Sequence, residues 1–274
     1  MKPIKILIII ALSGILFSCS PSRELANEFT AQSSKNTAVY LIPAGYLEKT
    51  NLKKSATDNL EGLTPAQRDS ARLAQTCFLK NVSDSAFLTR FVNAYMDELR
   101  ALGLRVCLDG PDSLQCPPKE NSFVVKMQEL ELREFVIRLT DEQFIYNAVY
   151  QKDIDLQAVS LHAWFGIDRL NQPAGKRLLY AENYISDELL DSGFGRDEKD
   201  GRILHYRRTE PLTLEKIYNM AEALGRKYAS YTYDYLMNEY VFRHLKKHDP
   251  GSYYHYDRFK GRLESAEKNR FSIQ

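Results

Sequence analysis

The sequence predicts an α+β fold: a mainly antiparallel sheet, a helix after the first strand, and a long C-terminal helix packed on one face of the sheet. Three observations predict it. Apolar residues recur at helical spacing in two segments, they alternate at strand spacing in others, and the strands are grouped together with helices at either end. A chain of 274 residues with 44% hydrophobic residues can form one core of this kind, so we expect a single domain from 37 to 249.

The predicted domain begins with a short strand and a short helix. Residues 38–43 form an apolar run that ends at a proline, which is typical of a strand. Thr64 is followed by Pro65, so an N-cap residue precedes a proline at the first helical position. This pair predicts the start of a helix.

A longer amphipathic helix follows. Ser83 and Ser85 are both candidates for its N-cap, and Gly103 ends it. Its apolar residues are spaced by four, four, four and three along one stripe: Phe87, Phe91, Tyr95, Leu99 and Leu102. Residues 104–108 then predict a second strand.

Residues 122–139 predict a long strand with a β-bulge. Apolar and polar side chains alternate along this segment, and the phase of the alternation changes near Gln128. A helix is the alternative, because Leu132, Phe135 and Leu139 also fit helical spacing.

The next segments predict a hairpin and a loop. Residues 159–167 alternate without interruption, and residues 178–185 return antiparallel to them after a turn at 171–175. Residues 191–209 are rich in glycine and charge, so we expect them to form an exposed loop.

The C-terminal helix is predicted to begin after Thr213 and to end near Lys247, because Pro250 and Gly251 must break it. Its buried stripe consists of Ile217, Met220, Leu224, Tyr228, Tyr231 and Tyr235. Residues 250–274 are expected to be a polar, aromatic tail.

The amino terminus resembles that of bacterial lipoproteins. A basic start precedes an apolar run of about 14 residues, which is too short to span a bilayer comfortably. Leu16 to Cys19 then resembles a lipobox. The resemblance implies a lipoprotein signal peptide at 1–18, acylation of Cys19, and a tether over 19–36. Several acyl chains would bind the membrane durably.

The residues after Cys19 favour the periplasmic face of the outer membrane. Ser20 stands where an aspartate would resemble an inner-membrane retention signal. Residues 20–24 lack the acidic cluster that resembles a surface-export signal.

The other three cysteines predict one disulfide. Cys107 and Cys116 flank a turn-rich loop that can bring them together, and Cys77 with Cys107 is the alternative. An odd count leaves one thiol free in either case.

The architecture resembles that of two groups of envelope lipoproteins. The lipobox, the early strand, the helix ending at Gly103, the long strands with the 171–175 turn, and the final helix are similar to the ABC-type transport auxiliary lipoproteins and the lipopolysaccharide-assembly lipoproteins. The resemblance implies a non-catalytic scaffold or auxiliary role in an envelope complex for assembly or lipid transport. The alternatives are a hydrolase that processes an envelope polymer, and a lipid or glycan carrier.

The sequence contains no signature of catalysis or of cofactor binding. G-x-S-x-G, H-E-x-x-H, P-loop and G-x-G-x-x-G motifs are all absent. His162 lies on the less apolar face of a predicted strand, where packing or a surface hydrogen bond explains it. His244 and His248 share a helix face, but Lys246 and Lys247 between them oppose a cation. We therefore expect no catalytic residue, no cofactor and no metal.

Tyrosine is the most unusual feature of the composition, with 17 tyrosines against one tryptophan. Some of them fall outside the predicted buried stripe and are candidates for a partner surface. These candidates, with one neighbouring arginine, are Tyr233, Tyr240, Tyr253, Tyr254, Tyr256 and Arg258. The net charge of +1 gives no indication of nucleic-acid binding.

Overall fold

The chain adopts an α+β fold, as the sequence predicts. The computed structural model describes residues 20–53, 62–108, 121–170, 172, 178–246 and 251–273. The elements are α1 (Pro21–Glu28), β1 (Thr37–Ile42), β2 (Glu48–Asn51), α2 (Pro65–Ala74), α3 (Asp84–Ala101), β3 (Arg105–Cys107), β4 (Asn121–Ile145), β5 (Ala148–Arg169), β6 (Leu179–Ser186), β7 (Glu188–Arg196), β8 (Ile203–Glu210), α4 (Leu214–His244), β9 (Tyr253–Asp257), β10 (Arg262–Ala266) and β11 (Ser272–Ile273).

A seven-stranded sheet organises the fold. Its order is β11-β6-β5-β4-β1-β3, and β2 also pairs with β4. The central strands β4, β5, β6 and β11 are antiparallel, while β1 and β2 run parallel to β4 and β3 runs parallel to β1. The strand interpretation of 122–139 is therefore confirmed over its helical alternative.

The long hairpin of β4 and β5 extends beyond the other strands. Its register shifts between Met127 and Glu129, which confirms the predicted bulge. A two-residue turn of Tyr146 and Asn147, both at positive φ, closes it, as the right-handed twist of a hairpin favours. The hairpin is longer at both ends than the alternating runs that predicted it.

Helices α3 and α4 cover one face of the sheet. The ring of Phe165 on β5 lies 5.9 Å from that of Tyr95 on α3 and 6.0 Å from that of Tyr228 on α4. The Tyr95 hydroxyl lies 2.5 Å from Thr232 Oγ1, so the one polar end of this ring finds a partner inside the core. These contacts join both helices to the sheet in one apolar cluster.

The predicted helix starts are confirmed. Thr64 caps α2 with a reciprocal bond to Gln67, Ser83 caps α3, and Thr213 caps α4. Gly103, at φ +88°, follows α3 in the left-handed conformation that glycine adopts without strain.

Residues 191–209 are not a loop. They lie largely within the hairpin of β7 and β8, which packs on the far half of the β4–β5 hairpin through a bond from the Phe194 amide to Gln143 Oε1. The glycines that suggested a loop are explained by Tyr206, whose ring lies over Gly193 and Gly195. A tyrosine on the paired strand thus covers positions that lack side chains.

The prediction of a tether over 19–36 is also wrong for residues 20–36, the part that the structure describes. Ser20 accepts a hydrogen bond from the Arg23 amide and caps α1, which begins at Pro21. Ala26 and Phe29 are buried, and Phe29 lies 5.5 Å from both Tyr233 and Tyr240 of α4. Ala26 and Phe29 cover aromatic surface on α4, and the burial of this apolar surface favours an ordered segment over a flexible tether.

The predicted tail is an ordered part of the fold from 251 to 273. Strands β9 and β10 form a hairpin against α4, and β11 joins the main sheet beside β6. Asn238 of α4 bonds both the amide and the carbonyl of Tyr254, and Asp234 accepts from the Tyr256 amide. Asn238 and Asp234, one helical turn apart, therefore supply the β9 backbone with hydrogen bonds that a neighbouring strand would otherwise supply.

Asp234 should make the stability of the fold depend on pH. Burial raises its pKa to about 7, against the opposing effects of the Tyr256 amide and Arg270. Oδ2 forms no hydrogen bond, although it lies 3.4 Å from Arg270 Nε. The folded state then holds a proton that the unfolded state releases near pH 4, so stability falls as pH rises from 5 towards 8, by at most about 1.4 kcal/mol per pH unit.

Urea unfolding of wild type and Asp234→Asn at pH 5, 6, 7 and 8 measures this effect. The variant should lose most of the fall in stability with pH. Asp257→Asn is the control, because Lys260 lowers the pKa of the half-buried Asp257 carboxyl, which therefore does not titrate in this range. An unchanged pH dependence in Asp234→Asn would contradict the assignment.

Candidate functional site

The face of the sheet opposite α3 and α4 carries a row of polar side chains. Alternation along β5 directs Leu161 and Ala163 to the helices, and it directs Ser160, His162 and Trp164 to the other side. We call this second side the open face. The same alternation places polar and aromatic residues of β4 and β6 beside them: Glu131, Arg133, Tyr180, Glu182 and Tyr184.

Strand register brings these residues together in rows. Glu131, His162 and Glu182 lie opposite one another on β4, β5 and β6. Arg133, Ser160 and Tyr184 form the adjacent row. Directly paired residues on one face have Cβ atoms about 5 Å apart, so their side chains interact.

Four of these side chains form a continuous hydrogen-bonded series, which we call the relay: Ser160, His162, Tyr180 and Glu182. Ser160 Oγ lies 3.0 Å from His162 Nε2, and Tyr180 Oη lies 2.5 Å from His162 Nδ1. Tyr180 donates to Glu182, whose Oε2 is also 3.3 Å from His162 Nδ1.

The chemistry of the groups fixes the direction of each bond. A carboxylate only accepts, so the single hydroxyl proton of Tyr180 goes to Glu182. Tyr180 Oη then accepts from His162 Nδ1–H. Burial and Arg133 lower the pKa of His162, so the ring is neutral near pH 7 and Nε2 accepts from the Ser160 hydroxyl.

An ion pair supports the relay from β4. Arg133 Nε and Nη2 donate to Glu131 Oε2 at 2.8 and 2.5 Å. Burial alone would raise the pKa of Glu131, but its bonds from Arg133 and Thr50 lower it. Burial and Glu182 raise the pKa of Tyr180, which keeps the hydroxyl protonated. Perturbed groups of this kind cluster at functional sites more often than elsewhere.

A groove of about 460 Å³ lies over Ser160 and His162. Arg133 and Glu182 contribute polar walls. The apolar walls are Leu52, Phe135 and Tyr184, with the last two rings 6.1 Å apart in an edge-on contact. We call this the open-face groove. Its volume and its mixture of apolar walls and few polar groups suit a small ligand or one anchoring side chain of a partner.

A larger depression of about 580 Å³ lies on the other side of β6. Two of its charged residues already have partners: Lys227 donates to Asn183, and Arg270 lies beside Asp234 and over the Tyr231 ring. The groups here stabilise the packing of α4 and β11, so the open-face groove is the stronger candidate.

The predicted tyrosine surface is largely internal. Tyr233 and Tyr254 are 1% and 2% exposed, and Tyr240 is buried with its hydroxyl donating to Glu28 at 2.7 Å. The prediction was wrong for these three. They lie outside the predicted buried stripe of α4, but α1 and the β9–β10 hairpin cover that side of the helix.

The remaining members of that surface are half-buried. Tyr253 lies 5.0 Å from the Phe242 ring, Tyr256 lies 5.7 Å from the Tyr233 ring, and Arg258 forms an ion pair with Glu98 at 3.1 Å. The set therefore does not form one exposed surface.

The cysteines are partly described. Cys107 is disulfide-bonded and Cys77 is a free, exposed thiol, so the Cys77–Cys107 alternative is wrong. Cys116 and Cys19 lie outside the described residues, so the pairing of Cys107 with Cys116 and the acylation of Cys19 stay predictions.

Within the described ranges, no three His, Cys, Asp or Glu side chains lie close enough together to hold a metal ion. His244 Nδ1–H donates to the Tyr240 carbonyl at 2.8 Å, as helix-end histidines do, and His248 lies outside the described residues.

The sequence placed His162 on the less apolar face of a strand, but it predicted no site there and did not indicate the partners of His162. The sequence did contain a pattern that could have indicated this site. The less apolar side of the predicted hairpin carries polar and aromatic residues on both strands: Ser160, His162 and Trp164 on the first, and Tyr180, Glu182 and Tyr184 on the second. Their mutual register was not predictable, since the turn between the strands does not specify which residues face each other.

Comparison with known proteins adds no assignment to this geometry. No protein-family model, no curated protein and no solved structure matches the chain.

Proposed function

We propose that this chain is a lipid-anchored protein of the bacterial cell envelope, held through acyl chains on Cys19 at the periplasmic face of the outer membrane. We propose further that it is an auxiliary component of an envelope assembly or lipid-transport complex and binds its partner in the open-face groove. The observation that carries this role is the groove itself, an organised polar and aromatic site on the open face of the sheet.

The fold defines how such an anchor would act. In the described part of the chain, no helix is both long and apolar enough to cross a bilayer. Because α1 begins at Pro21 and packs on α4, Cys19 is separated from the folded body by Ser20 alone. Acyl chains on Cys19 would therefore hold the body against the membrane, and not at the end of a flexible tether.

The packing between sheet and helices weighs against an enclosed carrier site. The rings of Phe165, Tyr95, Tyr228 and Phe271 meet between the two layers, all of them buried. A lipid or glycan cargo would need this space, whereas the open-face groove lies on the other side of the sheet.

A hydrolase that acts on an envelope polymer is the second candidate. It is favoured by one observation, the relay of Ser160, His162, Tyr180 and Glu182 at the base of the groove.

Acylation should depend on Cys19 alone. Cells that express wild type, Cys19→Ser or Cys77→Ser are grown with an alkyne-labelled fatty acid, and the purified chains are measured for label. We expect Cys19→Ser to lose essentially all label and to leave the membrane fraction. Cys77→Ser, which removes an exposed thiol, should keep both. Equal labelling of Cys19→Ser and wild type would contradict the anchor.

The auxiliary role predicts a groove-dependent partner. Tagged wild type, Tyr184→Ala and Glu222→Ala are cross-linked in cells, solubilised gently and analysed by mass spectrometry. Tyr184 is a groove wall that is 60% exposed, and Glu222 lies on the exposed side of α4. We expect components of one transport or assembly complex with wild type and Glu222→Ala, and several-fold less with Tyr184→Ala. Equal recovery with all three would overturn the groove as the binding site.

A further inference from the structure

We infer that Ser160 is the nucleophile of an ester-cleaving site in the open-face groove, with His162 as its general base and Glu182, through Tyr180, as the group that positions the imidazole. This inference rests on the groove being the functional site. It does not depend on the acylation of Cys19 or on the auxiliary role.

The relay has the arrangement that nucleophilic catalysis by serine requires. Ser160 Oγ is within hydrogen-bond distance of His162 Nε2, and the opposite nitrogen, Nδ1, is oriented by an acidic group. The donor directions leave the lone pair of Nε2 facing the serine hydroxyl, which is the tautomer that can accept its proton. Here the tyrosine hydroxyl is inserted between imidazole and carboxylate.

Arg133 is placed to stabilise the charge that develops on the substrate. It lies directly across from Ser160 on β4 and lines the same groove. Because β5 is paired on both sides, backbone amides around Ser160 already have partners, so the donor must be a side chain. A guanidinium has five N–H donors, and the bonds from Nε and Nη2 to Glu131 leave others for a carbonyl oxygen.

The reaction balances with water as the second reactant. Ser160 Oγ bonds to the carbonyl carbon of a carboxylic ester while its proton passes to His162 Nε2. The bond from that carbon to the alcohol oxygen breaks, and the leaving oxygen takes the proton from His162. Water then attacks the acyl-serine, His162 takes and returns one proton, and the acid and free Ser160 are released.

The walls of the groove define the class of ester. Leu52, Phe135 and Tyr184 present apolar surface beside Ser160, so they favour an apolar acyl group. The exposed carboxylate of Glu182 at the rim opposes an anionic alcohol portion. The structure therefore points to neutral esters of apolar acids.

The test uses purified full-length protein and a fluorophosphonate probe, which reacts covalently with activated serines. Peptide mapping should place the probe on Ser160. His162→Asn should slow labelling about 100-fold or more, as loss of a general base does. Ser186→Ala is the matched control, because Ser186 lies further along β6 and bonds only the Asp187 carbonyl among the described contacts. That variant should label at the wild-type rate.

The pH profile separates a positioning role for Glu182 from a structural one. The groups facing His162 are Glu131 and Arg133 from β4 and Tyr180 and Glu182 from β6. The labelling rate should rise with pH to a midpoint below the ordinary histidine value of about 6.5. Glu182→Gln should lower that midpoint further and slow the reaction about tenfold, because Glu182 raises the pKa of His162.

Labelling at Ser160 that depends on His162 supports the site. Absence of label on folded wild type, or labelling that His162→Asn leaves unchanged, overturns it. Thermal unfolding of each variant shows that it is folded. If Ser160 does not react while the Tyr184→Ala variant still loses its cross-linked partner, the nucleophile is wrong and the docking role stands.

Discussion

Replacing Glu134 with alanine is expected to lower the free energy of unfolding by about 3 to 5 kcal/mol. The side chain is fully buried and accepts from the backbone amides of Cys77, Phe78 and Leu79, as well as from Lys53. Burial alone would raise its pKa, but these bonds lower it. Truncation would leave three backbone amides, that of Leu79 buried, and an ammonium group without their acceptor.

Urea unfolding at pH 7 measures this change. Glu142→Ala is the control, because Glu142 is exposed on the same strand and should alter stability by less than about 0.5 kcal/mol. A lowered folded-state pKa means that the contribution of Glu134 is present above its unfolded value of about 4.5 and is lost as pH falls through the folded value. Equal effects of the two substitutions would contradict this role of Glu134.

Gly225→Ala should destabilise the protein by about 1 to 3 kcal/mol, the reverse of the usual effect in a helix. Alanine has the better helix propensity by about 1 kcal/mol. A Cβ at this position, however, would lie 2.4 Å from the Phe91 carbonyl oxygen and 3.1 Å from Ala94 Cβ. The backbones of α3 and α4 approach so closely here that they must separate to admit a methyl group.

Thermal unfolding of Gly225→Ala beside Gly45→Ala tests this close contact. Gly45 is exposed, and a Cβ there would meet no atom within 4 Å. It should be neutral or slightly stabilising, because alanine restricts the unfolded chain. A stabilised Gly225→Ala variant would show that the helices do not meet as described.

Features that depend on neighbouring residues were predictable from the sequence. The caps Thr64, Ser83 and Thr213 follow from local hydrogen bonding, and the change of phase near Gln128 located the bulge of β4 to within one residue. In each case the structure is determined by interactions between residues that are only a few positions apart in the sequence.

Features that depend on distant contacts were not predictable. Pro21 to Glu28 is helical and Tyr233 is buried because the two segments pack on each other, although 200 residues separate them. Gly193 belongs to a strand because Tyr206 covers it from the neighbouring strand. Composition indicated a tether and a loop, and tertiary packing overrode it.

The candidate site was predictable only in part, for the same reason. The sequence places His162 on the less apolar face of a strand, but a nucleophile and an acid become visible only when β5 and β6 are set in register. Ser160 is two residues away on the same strand, while Tyr180 and Glu182 arrive from the next one. Arg133 arrives from β4 on the other side.

We propose that the open-face groove is where the protein binds its partner. Site-specific photo-cross-linking in living cells tests it most directly, with a photoreactive residue in place of Tyr184 in the groove or of Glu222 on the exposed side of α4. We expect a discrete adduct from position 184, identified by mass spectrometry as one envelope component, and none from position 222. Adducts of equal yield from both positions, or none from 184 in a correctly anchored protein, would contradict it.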